Sequence, residues 1–192
     1  MTAPGVSNLT AILQGASIGS ASIVRCPATM LNRFRSLNPA EYIILFTPVV
    51  PHPLSTELDL NMDPFEPLGR SLSRRHSRIR HVPYVPSKGM TQTHIDFLRT
   101  AGAVVVVVCT TQNIATQNTH RYNEQTGFAR DISHRVEQDE SLASVPLLLV
   151  LITDGLNMQP HYDGVHDFPA LITHSNYTPT ALEGVAREIF GA

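Results

Sequence analysis

Three features predict a three-layer α/β/α sandwich built on a mostly parallel sheet of five to six strands. Residues 103–109 contain five consecutive valines, and residues 146–152 are equally apolar without interruption. β-Branched side chains lose χ1 freedom in a helix, and an apolar run without alternation implies cover on both faces, as inside a parallel sheet. Both runs end in polar turns, Thr110-Thr111-Gln112-Asn113 and Thr153-Asp154-Gly155, and the segments between such runs carry apolar residues at helical spacing.

In chain order, Val6, Leu9, Ile12 and Leu13 suit a short helix leading into an edge strand near residue 24. Residues 27–39 show no clean period and read as a surface loop closed by Pro39. Residues 42–48 form an interior strand ended by Pro48, Pro51 and Pro53. Asp63-Pro64-Phe65-Glu66 reads as an N-cap, a proline at the first helical position and an acid in the first turn, followed by Phe65, Leu68 and Leu72 on one face. Residues 79–85 alternate around Pro83, which places that strand nearer an edge. Thr91 caps a helix with Ile95, Leu98 and Ala101 inward, ended by Gly102. After Cys109 a long polar loop, 110–123, precedes a helix with Phe128, Ile132 and Val136 on its apolar face. A second irregular loop, 154–168, precedes a strand over 169–173. Thr178-Pro179 opens a closing helix that faces Leu182, Val185, Ile189 and Phe190 inward and stops at Gly191.

The chain has 192 residues and is 42% hydrophobic, enough for one sizeable core, so a single domain over 1–192 is expected. A net charge of −2 gives no field that favours nucleic acid or an anionic membrane surface. The first residues resemble no signal peptide and no apolar run approaches the ~20 residues of a membrane span. A cytoplasmic protein is expected. Cys26 and Cys109 make no disulfide framework, and Cys109 at the end of the valines reads as a small buried hydrophobe. Arg74, Arg75, Arg78 and Arg80 read as a solvated helix end, where cations meet the negative end of the dipole.

Several patterns in the sequence contain residue types that carry chemistry in other settings. Gly15-Ala16-Ser17-Ile18-Gly19 has the spacing of a nucleophile elbow, yet the elbow needs a strand before the serine and a helix after it, and here the order is reversed. His161, Asp163, His166 and Asp167 lie close in sequence, but on a loop without a metal-ligand spacing, so no metal is expected. There is no dinucleotide fingerprint and no P-loop, so no cofactor is expected. Open α/β sheets bind ligands at the carboxyl ends of their strands. That rule selects Thr110, Thr111, Gln112 and Asn113 after the valine run, and Asp154 and Asn157 after the 146–152 run, as candidate polar contacts. Asp154 also suits its Asp-Gly turn for backbone reasons alone.

The order of segments resembles the C-terminal α/β sandwich domain of glycoside hydrolase family 3, in its fungal β-N-acetylhexosaminidase-like branch. The matching pieces are residues 42–48, Asp63-Pro64-Phe65 with Leu68-Gly69-Arg70, Gly89-Met90-Thr91 with His94, residues 103–109, Gly127-Phe128-Ala129, and 177–182 through Ile189-Phe190-Gly191. In that branch the nucleophilic aspartate and the histidine acid/base sit on a (β/α)8 barrel of about 250 residues, for which this sequence has no room. The resemblance therefore assigns no catalytic residue to this chain. It implies a module that binds a carbohydrate or another small polar ligand, or that docks on a catalytic barrel partner or on itself as a homo-oligomer. The alternatives are a small independent hydrolase with its site in the loops after 103–109 and 146–152, pairing Asp154 with His161, His166 or His174 as a base, and a purely structural or oligomerisation module.

Overall fold

The computed structural model describes residues 21–54, 58–116, 121–154 and 165–191. The apolar runs become six strands: β1 (Ser22–Arg25), β2 (Tyr42–Pro48), β3 (Ile79–Tyr84), β4 (Ala101–Cys109), β5 (Leu147–Ile152) and β6 (Ala170–His174). They form one sheet in the order β1-β6-β5-β4-β2-β3. Four neighbouring pairs are parallel, with Val104↔Leu147 through Cys109↔Ile152 setting the central register, and only β1 runs antiparallel, against β6. The three strands read as interior, β2, β4 and β5, are interior, and β1 and β3 are the edges.

Side chains alternate across a strand, so the valine run feeds two cores at once. Val105, Val107 and Cys109 join Leu45, Val150 and Ile172 on one face. Val104, Val106 and Val108 join Phe46, Leu149 and Leu151 on the other. The helices α1 (Ala28–Arg35), α2 (Glu66–Ser73) and α6 (Pro179–Phe190) cover the first face through Phe34, Leu68, Leu72, Leu182, Val185 and Ile189. The helices α3 (Gln92–Leu98) and α5 (Arg121–Gln138) cover the second through Leu98, Phe128, Ile132 and Val136. A single turn, α4 (Gln112–Ala115), follows β4.

Four local expectations are corrected. Residues 28–35 are the helix α1 rather than loop, because its only buried anchor is Phe34, too little to produce a period. The helix α2 begins at Glu66, not Pro64: the Asp63 carboxylate accepts the Phe65 N–H at 2.8 Å in a turn just ahead of it. Ala101 and Gly102 belong to β4, and α3 ends at Leu98 with His94 on its buried side. The Thr91 N–H donates to His94 Nδ1 at 3.0 Å, so an imidazole fills the place that Glu or Gln takes in a capping box. The stretch after Cys109 is not all loop, since α4 interrupts it and α5 starts at Arg121. The expected helix over 6–13 and the Gly15–Gly19 pattern lie outside the described residues.

The helix α6 starts as expected, with the Thr178 hydroxyl accepting the Ala181 N–H at 3.4 Å, and ends at Gly191 with φ of 75°. Its last carbonyls receive Arg35 of α1, whose Nε donates to Ile189 O at 3.1 Å and Nη2 to Glu188 O at 3.3 Å. The arginines after α2 are dispersed. Arg74 pairs with Glu183, Arg78 donates to the Tyr42 hydroxyl, and the guanidiniums of Arg78 and Arg80 lie over the Tyr42 ring at 5.2 and 5.6 Å.

Candidate functional site

The parallel strands bring their carboxyl ends to one edge, and five of the six sequence-selected residues are described there. Thr110 is buried, its N–H donating to Ile152 O at 2.8 Å, so it extends the β4–β5 ladder by one bond. The Thr111 hydroxyl donates to Asn113 Oδ1 at 2.6 Å. Asn113 Nδ2 in turn donates to the Tyr177 hydroxyl at 2.7 Å and to His52 O at 3.1 Å, and Tyr177 donates to Pro51 O at 2.8 Å. The Asp154 carboxylate accepts the Gln112 N–H at 2.5 Å, binding the turn after β5 to the first residue of α4. Asn157 lies outside the described residues.

These residues hold one another. Thr111, Asn113 and Tyr177 tie together the segments that follow β2, β4 and β6, while Asp154 ties the segment after β5 to the same turn. Each bond replaces water that a loop polar group would otherwise keep, and the chain of hydroxyl and amide dipoles is mutually polarising. The result is a braced polar edge.

Titratable groups here are shifted away from reactivity. Burial pushes the Cys109 thiol up to about 12, which leaves no useful thiolate near neutral pH and fits its reading as a small hydrophobe. Burial, with Cys109 adding to it, pushes the Tyr177 hydroxyl up to about 12, so it stays a neutral donor. Burial lowers the pKa of His174 and keeps its ring neutral, and its Nδ1 accepts the Asn176 N–H at 3.1 Å. His174, one of the bases considered for Asp154, thus has its Nδ1 committed to the backbone. His161 lies outside the described residues, and His166 sits in an exposed turn.

One further grouping has the residue types of a nucleophile relay. The Thr47 hydroxyl lies 2.7 Å from His81 Nε2, and Asp63 Oδ1 lies 3.9 Å from that same nitrogen. A relay needs the carboxylate on one ring nitrogen and the hydroxyl on the other. With both on Nε2 and Thr47 fully buried, the grouping braces the start of α2 and offers no accessible nucleophile. Among the described residues no cluster of three His, Cys, Asp or Glu side chains could hold a metal ion, and most of the 161–167 cluster lies outside them. No helix among the described residues is long and apolar enough to cross a membrane.

Sequence reasoning missed Tyr177 and the other partner of Asn113, the His52 carbonyl. Tyr177 stands 64 residues from Asn113 and 126 from Pro51, so nothing local marks it.

No family model matches the chain, and no curated protein sequence matches it. Solved structures do. A fungal multi-domain GH3 β-N-acetylglucosaminidase superposes with a TM-score of 0.55 at 17% identity, covering 89% of this chain and 16% of its own. A glycoside hydrolase family 3 β-N-acetylglucosaminidase from Paenibacillus sp. str. FPU-7 gives 0.53 at 12% identity, covering 89% and 28%. A β-glucosidase from Listeria innocua in complex with isofagomine gives 0.57 at 11%, covering 89% and 24%. At these identities the likeness is one of fold: this chain has the α/β architecture of one portion of those hydrolase chains and spans between 16% and 28% of their length.

Proposed function

We propose that this chain is a non-catalytic module of the kind that forms the C-terminal α/β sandwich of family 3 glycoside hydrolases, in the fungal β-N-acetylhexosaminidase-like branch. It works as a single domain in the cytoplasm and presents the carboxyl-end edge of its sheet to a catalytic barrel partner, with a glycan or small polar ligand held at that edge. The observation that carries this reading is the bracing of the edge itself. Thr111, Asn113 and Tyr177, with Gln112 and Asp154, are spent on holding the loops in one shape. A preorganised polar surface suits recognition, which gains by having its loops ordered beforehand. Retaining glycoside hydrolysis instead needs two carboxyl groups about 5 Å apart across a cleft, or the branch's aspartate and histidine on a rigid barrel. The fold likeness to parts of larger hydrolases supports the same reading.

The test is turnover and binding together. The purified protein should release no nitrophenol from an aryl N-acetyl-β-glucosaminide above a buffer blank. Titration with N-acetylglucosamine oligomers should shift the amides of Gln112 and Asn113, and Asp154→Ala should weaken that response while the fold stays intact. Turnover that is abolished by Asp154→Ala would replace the module with the small hydrolase.

A further inference from the structure

A second concavity lies outside the braced edge, between the end of β6 and the exposed side of α6. It has a volume of about 520 Å³, within the range of small-ligand sites. Ala170, Ile172 and His174 alternate onto the face that α6 covers, which brings the His174 ring into the cavity beside the first turn of that helix. His174 is only 4% exposed. Because its Nδ1 accepts the Asn176 N–H, the proton of the neutral ring sits on Nε2. That Nε2–H has no acceptor among the described residues.

The rest of the lining is rich in donors. Asn176 Oδ1 accepts the Thr178 N–H at 3.2 Å and the Thr178 hydroxyl at 2.9 Å, which leaves its NH₂ group to donate. Thr180 stands in the first turn of α6, at the positive end of a 12-residue helix. The Arg187 guanidinium lines the same cavity and has no hydrogen-bond or ion-pair partner among the described residues. With Arg35 and Glu188 at the other end of the helix, the charged lining carries two cations against one anion.

We propose that this cavity binds the oxyanion, phosphate or carboxylate, of a small metabolite, with His174 Nε2–H and the Asn176 amide as neutral donors and Arg187 as the countercharge. The His174 Nε2–H, without a protein acceptor among the described residues, can donate to a ligand in the cavity, and Arg187, on the same cavity wall, can add the charge-assisted bond that selects an anion over a neutral polyol. The site uses none of the residues of the braced edge, so it stands independently of the module reading.

The experiment is a titration of the ¹⁵N-labelled full chain at constant ionic strength with inorganic phosphate, acetate, glucose 6-phosphate and glucose. Both simple anions and the sugar phosphate should shift the amides of Thr180, Ala181 and Gly184 and the His174 ring nitrogens, saturating by roughly 20 mM, while glucose should not. A stronger response to phosphate names a phosphomonoester as the natural class, and a stronger response to acetate names a carboxylate. Arg187→Gln, a change at an exposed position, should weaken binding about tenfold without moving the melting midpoint. His174→Phe should weaken it as well, since a planar aromatic side chain remains while the Nε2–H donor is lost, along with the Nδ1 acceptor of the Asn176 N–H. No saturable shift with any anion, an equal response to glucose and glucose 6-phosphate, or unchanged binding by Arg187→Gln would overturn the proposal.

Discussion

Replacing Gln125 tests how the valine strand is ended. Gln125 lies on α5 and is fully buried. Its Oε1 accepts the Cys109 N–H at 2.8 Å, and its Nε2 donates to the Cys109 carbonyl at 2.8 Å. Pairing of β4 with β2 stops at Phe46↔Val106, so this side chain supplies the two bonds that a longer β2 would have supplied. Gln125→Leu keeps most of the bulk and removes both partners. Each orphaned buried group costs about 1–3 kcal/mol, so the pair should cost about 2–6 kcal/mol. For a chain of this size that is a fall of roughly 4–24 °C in melting midpoint. Gln125→Glu adds a signature that a packing defect would not produce. The introduced carboxyl can donate to the Cys109 carbonyl only when neutral, so burial and that bond both raise its folded pKa above the unfolded ~4.3. The folded state then holds the proton more tightly. The variant should lie nearest the parent below about pH 4 and fall away from it as pH rises through the raised pKa. Urea unfolding of parent and both variants at several pH values measures each quantity. A Gln125→Leu protein melting within about 1 °C of the parent, or a Gln125→Glu deficit that shrinks as pH rises, would refute the reasoning.

Two further outcomes are expected. Gly102→Ala would place a Cβ 2.5 Å from Glu41 Cβ, and Glu41 is itself held by Arg33 and by the Asn38 N–H, so the start of β4 must shift at a cost of about 1–3 kcal/mol, readable by urea unfolding; an unchanged midpoint would show that Glu41 yields freely. His81, His94 and His174 all have their pKa values lowered, chiefly by burial, from an ordinary 6.5. Unfolded chains therefore bind protons that the folded state refuses, so their contribution is present above pH 6.5 and is lost as pH falls through the lowered values. Thermal melts of the parent should drop from pH 7 to about pH 5, less steeply in His94→Gln, and identical slopes for the two proteins would contradict that origin.

The sandwich was legible because burial on both faces is written locally. A strand covered on two sides must be apolar at every position, and residues 42–48, 103–109 and 146–152 are so over most of their length. The ends of α6 were legible for the same reason: Thr178, Pro179 and Gly191 act on their own backbone neighbours. The helix α1 was not, because one buried side chain, Phe34, together with the reach of Arg35 to the last carbonyls of α6, holds a segment whose own sequence has no period. The same limit applied to the candidate site. Sequence placed Thr111, Gln112, Asn113 and Asp154 at the carboxyl ends of the strands, since that follows from where apolar runs stop. That Asn113 meets Tyr177 and the His52 carbonyl, that Asp154 holds the Gln112 amide, and that His174 turns a lone N–H into a cavity were decided by the strand order β1-β6-β5-β4-β2-β3. Polar partners of this kind lie tens of residues apart, and a hydrogen bond fixes only the geometry of the two groups that make it, so neither residue carries a mark of the other until the sheet brings them together.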